Sequence, residues 1–189
     1  MIRLFAALAI PGDIGVALQR LQHGLPGARW RPREGLHLTI GFVGEVAETM
    51  ADDFDAELAQ IRSEPFEMSL AGVGCFGEAG SVSAVWAGAR TNESLKALAA
   101  SCERAARRAG LARERRLFRP HVTLAYLNRG APEAAARWIQ SHNLFSSPPF
   151  IIERFGLYSS SLGRQGSTYR LERSYPLGRL PVRAGGAVR

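Results

Sequence analysis

The feature that most constrains this chain is a pair of segments, one in each half, that share one unusual pattern. Segment 36–43 reads Leu-His-Leu-Thr-Ile-Gly-Phe-Val, and segment 119–126 reads Arg-Pro-His-Val-Thr-Leu-Ala-Tyr. In both, apolar residues alternate with a histidine and a threonine, which predicts a β-strand with one polar face. The chain has only four histidines, so chance is a poor explanation for the recurrence. The sequence therefore predicts an internal duplication, with one such strand in each half.

Strict alternation assigns two faces to each of these strands. The predicted apolar faces hold Leu36, Leu38, Ile40 and Phe42 in the first strand and Val122, Leu124 and Tyr126 in the second. The predicted polar faces hold His37 and Thr39 in the first strand and Arg119, His121 and Thr123 in the second. We expect the two polar faces to form one functional site.

The rest of the chain predicts an α+β protein whose sheets are largely antiparallel, because helical and strand-like segments alternate with hairpin-like strand pairs. The first predicted helix is capped by Asp13 and closed by Gly24. The other predicted helices are 49–62 with Thr49 and Asp52 as a capping pair, 92–109 and 132–141. The predicted strands are 2–9, a hairpin of 66–73 and 82–88 around the glycine-rich stretch 74–80, and 150–158 and 168–177 around the turn-rich loop 159–167. We expect residues 1–177 to form a single domain and residues 178–189 a loosely ordered basic tail.

Composition limits the class of protein. With 189 residues, 46% of them apolar, the chain can fill one soluble domain. No apolar run reaches the roughly 20 residues of a membrane-spanning helix, and the opening segment reads as a buried strand rather than a signal peptide. Two cysteines provide no disulfide framework. We therefore expect a cytoplasmic protein. The net charge of +7 favours an anionic partner.

Paired histidines and threonines beside basic residues suit phosphodiester cleavage. Imidazole titrates near neutral pH, so one histidine can accept a proton while the other donates one. In-line displacement at phosphorus needs that pair on opposite sides of the phosphate. Thr39 and Thr123 can donate hydrogen bonds to the non-bridging oxygens. Arg119, two residues before His121, can add a charge-assisted contact and is the predicted substrate-binding residue.

A metal site is the other common use of paired histidines. Two histidines leave a zinc ion short of the three protein ligands that catalytic sites use, and no cysteine or carboxylate lies close on either strand. We therefore predict no metal and no other cofactor.

Other polar and aromatic residues carry weaker expectations. His23 and His142 fall at helix ends, where a surface role is the simpler interpretation. Trp30, Phe118 and Trp138 include candidates for a ring that stacks on a nucleobase, with Trp138 expected in the core. The arginines of one predicted helix can follow RNA phosphates or form a solvated face; they are Arg104, Arg107 and Arg108.

The two segments His37-Leu38-Thr39-Ile40 and His121-Val122-Thr123-Leu124 resemble the paired HxTx motifs of the two-histidine phosphoesterase superfamily. More closely, the chain resembles the RNA 2′,3′-cyclic phosphodiesterases, formerly called 2′-5′ RNA ligases. Supporting blocks are Arg3–Leu8, Arg29–Trp30, Leu36–Gly44, Arg119–Leu124 and Leu157–Leu162. One departure is Ala125-Tyr126, where relatives often have Ala-Arg after the second motif.

The resemblance implies a bilobal fold of duplicated β-α-β-α-β units with the site in a central cleft. It implies metal-independent hydrolysis of an RNA terminal 2′,3′-cyclic phosphate to a 2′-phosphate, with His37 as proton donor and His121 as proton acceptor. RNA ends, including tRNA-like fragments, are the implied partners of a monomer that acts in RNA processing. The sequence itself leaves the two proton roles interchangeable. It also leaves open a non-catalytic RNA-end binding module, 2′-5′ ligation, and cleavage of other cyclic nucleotides.

Overall fold

The computed structural model describes residues 1–78, 80–90, 92–112, 117–163 and 166–178. The first half of the chain forms β1 Ile2–Ala9, α1 Gly12–Gln19, β2 Ala28–Trp30, a 3-10 turn Arg33–Gly35, β3 His37–Val46, α2 Glu48–Ala59, β4 Phe66–Met68 and β5 Leu70–Glu78. The second half forms β6 Ser81–Ala89, α3 Glu93–Arg108, β7 His121–Gly130, α4 Pro132–His142, β8 Phe150–Ile152, β9 Arg154–Gly163 and β10 Gly166–Pro176.

The predicted duplication is confirmed by the order and spacing of these elements. Apart from β2 in the first half and β10 in the second, each half runs β-α-β-α and then adds a short and a long strand, which is one strand more than the expected unit. Four elements of the first half have a counterpart that begins the same number of residues later in the chain. The pairs are β3 and β7, α2 and α4, β4 and β8, and β5 and β9. The two histidine strands are therefore equivalent elements of one repeated unit.

Every described strand pair is antiparallel, as predicted. The main sheet has the order β10-β9-β1-β3-β7-β6-β5, with β2 also on β7, while β4 and β8 form a separate two-stranded sheet. We call β10-β9-β1-β3 the first lobe and β7-β6-β5 with β2 the second lobe. The lobes meet where β3 pairs with β7 through Leu38 and Val122.

The two repeats exchange parts across this junction. Strand β5 belongs to the first repeat but pairs with β6, and β9 belongs to the second repeat but pairs with β1. Helix α3 likewise follows β6 in the chain but packs on α2 and β3. Each lobe is thus assembled from both halves of the chain.

One continuous core lies between the helices and one face of the sheet. Leu8, Leu38 and Val122 are fully buried there, as are Phe54 of α2 and Leu95 of α3. Gly41 of β3 faces α3 so closely that a Cβ on it would lie 3.2 Å from Cβ of Cys102. The helices therefore cover one face of the first lobe and leave the opposite face free for a site.

Several predicted boundaries are wrong. The predicted loop 74–80 is largely strand, because β5 continues to Glu78 and pairs with β6. Residues 66–68 leave the predicted hairpin and pair with β8. Much of the predicted loop 159–167 is also strand, in β9 and β10. Glycine and serine clusters favour turns locally, but ladder pairing with neighbouring strands overrides that preference here.

The predicted helix caps are also wrong. The N-cap of α1 is Pro11 and that of α2 is Ala47, and neither makes a side-chain capping bond. By contrast, Asn92 caps α3 by accepting a hydrogen bond from the Leu95 amide at 2.8 Å. No described helix is long and apolar enough to cross a membrane. Residues 179–189, most of the predicted tail, lie outside the described residues.

Candidate active site

A β-bulge follows each threonine of the two motifs. On β3, Thr39 pairs with Ala7 and Gly41 pairs with Ala6, so Ile40 is the extra residue. On β7, Thr123 pairs with Trp86 and Ala125 pairs with Val85, so Leu124 is the extra residue. A bulge adds one residue to a strand and reverses the side to which the following residues point. The last residue of each His-x-Thr-x unit is therefore a bulge in both repeats.

The bulges overturn part of the predicted alternation. Phe42 pairs with Phe5 of β1. Phe5 lies on the same face of β1 as Ala7, the partner of Thr39, so Phe42 and Thr39 share a face. Tyr126 pairs with Ala84 of β6. Ala84 lies on the same face of β6 as Trp86, the partner of Thr123, so Tyr126 and Thr123 share a face. Phe42 and Tyr126 therefore leave the predicted apolar faces and join the face of the histidines. We call this surface the histidine face, defined by His37, Thr39, His121 and Thr123.

The junction of the lobes brings the two motifs together. In an antiparallel pair the residues that flank a paired position also lie opposite one another. Because Leu38 pairs with Val122, His37 lies across from Thr123 and Thr39 lies across from His121. The two histidines are diagonal neighbours, and residues so related lie roughly 7–8 Å apart. That spacing leaves room for one tetrahedral group between the rings.

Both histidines are oriented by the backbone two residues upstream. Nδ1 of His37 donates to the carbonyl oxygen of Gly35 at 3.0 Å, and Nδ1 of His121 donates to that of Arg119 at 2.6 Å. A carbonyl can only accept, so Nδ1 carries the proton when either ring is neutral. Nε2 of each ring is then unprotonated and able to act on a ligand.

Burial keeps both imidazoles neutral. It lowers the pKa of His37 from 6.5 to about 4, against the opposing effect of the Gly35 hydrogen bond, and the charges of Arg31 and His121 lower it further. Burial likewise lowers the pKa of the less buried His121, while its hydrogen bond to Arg119 opposes that shift. Desolvation disfavours the charged imidazolium. Both rings are therefore proton acceptors at neutral pH.

Aromatic rings surround each histidine. The ring centres of Phe5 and Tyr169 each lie 4.8 Å from that of His37. The ring centre of Phe76 lies 4.8 Å from that of His121, and that of Trp86 lies 6.0 Å away. These rings supply the burial that depresses both pKa values, and they offer apolar surface beside the site.

The structure places the remaining predicted site residues as follows. Thr39 and Thr123 lie on the histidine face, and no side-chain partner for either hydroxyl occurs among the described residues. Arg119 precedes β7, and its side chain is exposed. The contact that it makes with the site is through its carbonyl oxygen, which accepts from Nδ1 of His121. The role of its side chain in substrate binding stays a prediction. Arg113, Arg115 and Arg116, which also precede His121, lie outside the described residues.

Sequence reasoning missed Arg31 as a site residue. This arginine is buried, with 8% of its surface exposed. Its guanidinium carbon lies 4.7 Å from the ring centre of Tyr169 and 5.8 Å from that of Tyr126. No local signal distinguishes it from Arg29 and Arg33, because β10, far along the chain, provides Tyr169. The bulge that turns Tyr126 toward the site also has no local signature.

The weaker candidates fall elsewhere. Trp138 is 2% exposed and donates to the carbonyl oxygens of Leu21 and His23, as expected of a core residue. Trp30 packs on Trp138 at 6.1 Å, and Phe118 packs against the core. His23 and His142 contact each other at 5.2 Å. Arg108 pairs with Glu57 on the helical side of the sheet.

Among the described residues, no three His, Cys, Asp or Glu side chains cluster as metal ligands. The histidine face instead combines two unprotonated Nε2 atoms with two hydroxyls around one space. Such a set can accept a proton on one side of a bound tetrahedral anion and donate one on the other.

Comparison with known proteins agrees with this geometry. The family model described as the 2′-5′ RNA ligase superfamily matches residues 10–164. The chain belongs to that superfamily. The predicted family resemblance is thereby confirmed, and the matched range includes both histidine strands.

Two of its relatives share one named activity. The Archaeoglobus fulgidus RNA 2′,3′-cyclic phosphodiesterase is 29% identical over 171 residues, which cover 89% of this chain and 96% of that protein. The Escherichia coli RNA 2′,3′-cyclic phosphodiesterase is 31% identical over 172 residues, which cover 88% and 92%. The crystal structure of E. coli LigT complexed with 3′-AMP superposes with a TM-score of 0.76 at 25% identity and covers 94% and 99% of the two chains.

Proposed function

We propose that this protein hydrolyses the terminal 2′,3′-cyclic phosphate of RNA to a 2′-phosphate without a metal ion. The observation that carries the proposal is the arrangement of His37 and His121 on two paired strands, each with Nδ1 held by a carbonyl oxygen so that Nε2 is left to act on a ligand. The activity named for relatives in Archaeoglobus and Escherichia supports the same substrate class.

In this mechanism the cyclic phosphate lies between the two rings. Nε2 of His121 takes a proton from a water molecule as the water oxygen attacks phosphorus. The bond from phosphorus to O3′ breaks, and Nε2 of His37 gives its proton to O3′. The product keeps the phosphate on O2′. This allocation follows the family resemblance, with His37 as acid and His121 as base.

Binding of the substrate favours the protonated histidine that the acid role needs. Burial disfavours protonation of His37 in the free protein, whereas an anion beside the ring favours the imidazolium. Binding of the phosphate therefore brings a proton onto the pair, and repulsion between the rings keeps the second ring neutral. One acid and one base result from two groups of the same chemical type.

The two threonines complete the phosphate site. Thr39 and Thr123 lie diagonally on the same face, and their hydroxyls can donate to the two non-bridging oxygens. Preformed donors of this kind stabilise charge that develops at phosphorus during attack. The exposed Arg119 side chain lies two residues from His121 and is proposed as a further contact to the RNA.

Hydrolysis of a short RNA ending in a 2′,3′-cyclic phosphate, in excess EDTA, tests the proposal. We expect a 2′-phosphate product from the wild type and a rate lower by about 10²–10⁴ for either His37→Ala or His121→Ala. The matched control is His142→Ala, at a histidine remote from the histidine face. Binding without turnover would instead indicate an RNA-end binding module. Loss of activity in EDTA would contradict the metal-free mechanism, and a 3′-phosphate product would contradict the assigned bond cleavage.

A further inference from the structure

Arg31 is a buried cation with no carboxylate partner among the described residues. Its Nη2 donates to the carbonyl oxygen of Ser167 at 3.2 Å, and none of the described ion pairs includes it. A guanidinium has five N–H donors, so one carbonyl leaves most of them unused. Because a buried charge is costly unless it is paired, this site is short of an anion.

Two aromatic rings hold the guanidinium in place without using any N–H group. Arg31 lies over Tyr169 at 4.7 Å and over Tyr126 at 5.8 Å. In the described part of the chain, Trp86 Nε1 is the one fully buried side-chain polar atom without a partner. The nitrogens of Arg31 that make no hydrogen bond are not in that class, so they keep contact with solvent. The cation is therefore fixed, and its remaining donors are open to a ligand.

Arg31 lies beside the reaction centre rather than at it. Its backbone amide donates to the carbonyl oxygen of Leu124 at 2.8 Å, and its side chain reaches Tyr126 on the histidine face. Tyr126 is three residues past Thr123, a separation of roughly 10 Å along a strand. The guanidinium also packs on Gly35, where a Cβ would lie 2.8 Å from Nη2. Gly35 binds Nδ1 of His37, whereas the reacting phosphate belongs at Nε2 across the ring.

We propose that Arg31 binds the internucleotide phosphate that precedes the terminal cyclic phosphate, so that the protein prefers an oligonucleotide end to a mononucleotide. The inference rests on the proposed function, since it takes the cyclic phosphate to lie between His37 and His121. Arginine is suited to the task because its planar fork matches two phosphate oxygens. The second phosphate supplies the counter-charge that the fold does not.

Two substrates and one analogue separate this role from a structural one. The substrates are a nucleoside 2′,3′-cyclic phosphate and a dinucleotide that ends in the same cyclic phosphate. The analogue is the dinucleotide with an uncharged methylphosphonate linkage. We expect the wild type to cleave the dinucleotide with a kcat/KM about tenfold or more above that for the mononucleotide, and the methylphosphonate to lose that advantage.

Arg31→Gln should lower the ratio of kcat/KM for the dinucleotide to that for the mononucleotide by about tenfold. In this variant the methylphosphonate and the phosphate dinucleotide should be cleaved alike, so that the two changes are not additive. The salt dependence of dinucleotide binding should also weaken by about one phosphate contact. Arg33→Gln, which removes an exposed arginine two residues away, is the matched control and should leave the ratio unchanged.

An unchanged ratio of kcat/KM in folded Arg31→Gln would overturn the proposal. If the ratio is unchanged because kcat/KM falls equally for both substrates, Arg31 acts at the reacting phosphate instead. If Arg31→Gln fails to fold, Arg31→Lys keeps the charge but loses the planar fork, and its ratio should fall by a smaller factor; an unchanged ratio in that variant also overturns the proposal. Failure of the wild type to cleave either substrate would instead contradict the proposed function, which keeps the two failures distinct.

Discussion

His37 and His121 are held in the same way, each by a hydrogen bond from Nδ1 to the carbonyl oxygen two residues upstream. The two supports differ in form, because Gly35 ends a 3-10 turn and Arg119 lies in a segment without regular secondary structure. The duplicated strands thus keep the ring orientation while their approaches differ. In both rings Nδ1 is engaged and Nε2 is not, and the environments of the two rings set how the pair titrates.

The kcat/KM for a cyclic phosphate should be highest on the acid side of pH 6.5. Reaction needs one protonated and one neutral histidine, and burial lowers both pKa values below 6.5, that of His37 to about 4. As pH rises through the higher of the two pKa values, the proton is lost and kcat/KM should fall about tenfold per pH unit. Below about pH 4 both rings become protonated and the base is lost.

The profile of kcat should extend to higher pH than that of kcat/KM, because the bound phosphate raises the histidine pKa values in the complex. Steady-state rates between about pH 4 and pH 9 measure both profiles. A maximum of kcat/KM well above pH 7 would contradict the depressed pKa values.

Stability should fall as the solution is acidified. The pKa of His37 is lower in the folded protein, about 4, than its ordinary value of 6.5. Its contribution is therefore fully present above pH 6.5 and is lost as pH falls through 4, by roughly 3 kcal/mol. Urea unfolding of the wild type and of His37→Gln at about pH 7 and pH 4 measures this. The variant should lose less stability on acidification, and equal losses in both proteins would count against the prediction.

Removal of either threonine hydroxyl should slow hydrolysis. Thr39→Val and Thr123→Val keep the side-chain shape but remove a donor to the phosphate, which typically costs about 10² in rate. Thr39→Ser and Thr123→Ser keep the hydroxyl and should stay within a few-fold of the wild type. Thr168→Val, at an exposed position of β10, is the control for a general effect of valine. Full activity in both valine variants would exclude the proposed phosphate contacts.

Gly35→Ala should act on Arg31. The added Cβ would lie 2.8 Å from Nη2 and 3.2 Å from Cζ of Arg31, so the guanidinium must move. The carbonyl bond to His37 involves only the backbone and can persist. We expect the preference for the dinucleotide to fall as in Arg31→Gln, measured as the same ratio of kcat/KM. A variant that keeps the full ratio would show that the site tolerates displacement of the guanidinium.

Gly74→Ala should destabilise the second lobe. A Cβ on Gly74 would lie 2.4 Å from the indole ring of Trp86, which covers this glycine. Moving a ring of that size typically costs about 1–3 kcal/mol, and Trp86 also contacts His121. Thermal unfolding should show a lower Tm, with reduced activity. Gly12→Ala is the matched control, because nothing lies within 4 Å of its Cβ position, and its Tm should not fall.

Local sequence was sufficient for the two motifs and for the duplication. Alternation from His37 to Ile40 and from His121 to Leu124 determines which side chains share a face. The constant offset between equivalent elements of the two halves follows from the equal lengths of the segments that separate them. Such features are local or periodic, and a single sequence records them directly.

The rest of the site depends on partners that are distant in the chain. The bulges at Ile40 and Leu124 arise from register shifts against β1 and β6, so the positions of Phe42 and Tyr126 could not follow from alternation alone. Arg31 becomes a site residue because β10 lays Tyr169 over it. Strand pairing also converted predicted loops into β5 and β9, where local turn preference gave the wrong answer.

The exchange of edge strands means that neither half of the chain is a self-sufficient unit. A backbone cut between β5 and β6 would leave one fragment in which β1 lacks β9 and another in which β6 lacks β5. Each fragment would expose unpaired strand edges and be prone to aggregate alone. Expressed together, the fragments can restore each other's missing edges and bring the two histidines back to one space. The fold is therefore suited to division into two fragments that are inactive alone. Their reassembly would be measured as restored cleavage of the substrate.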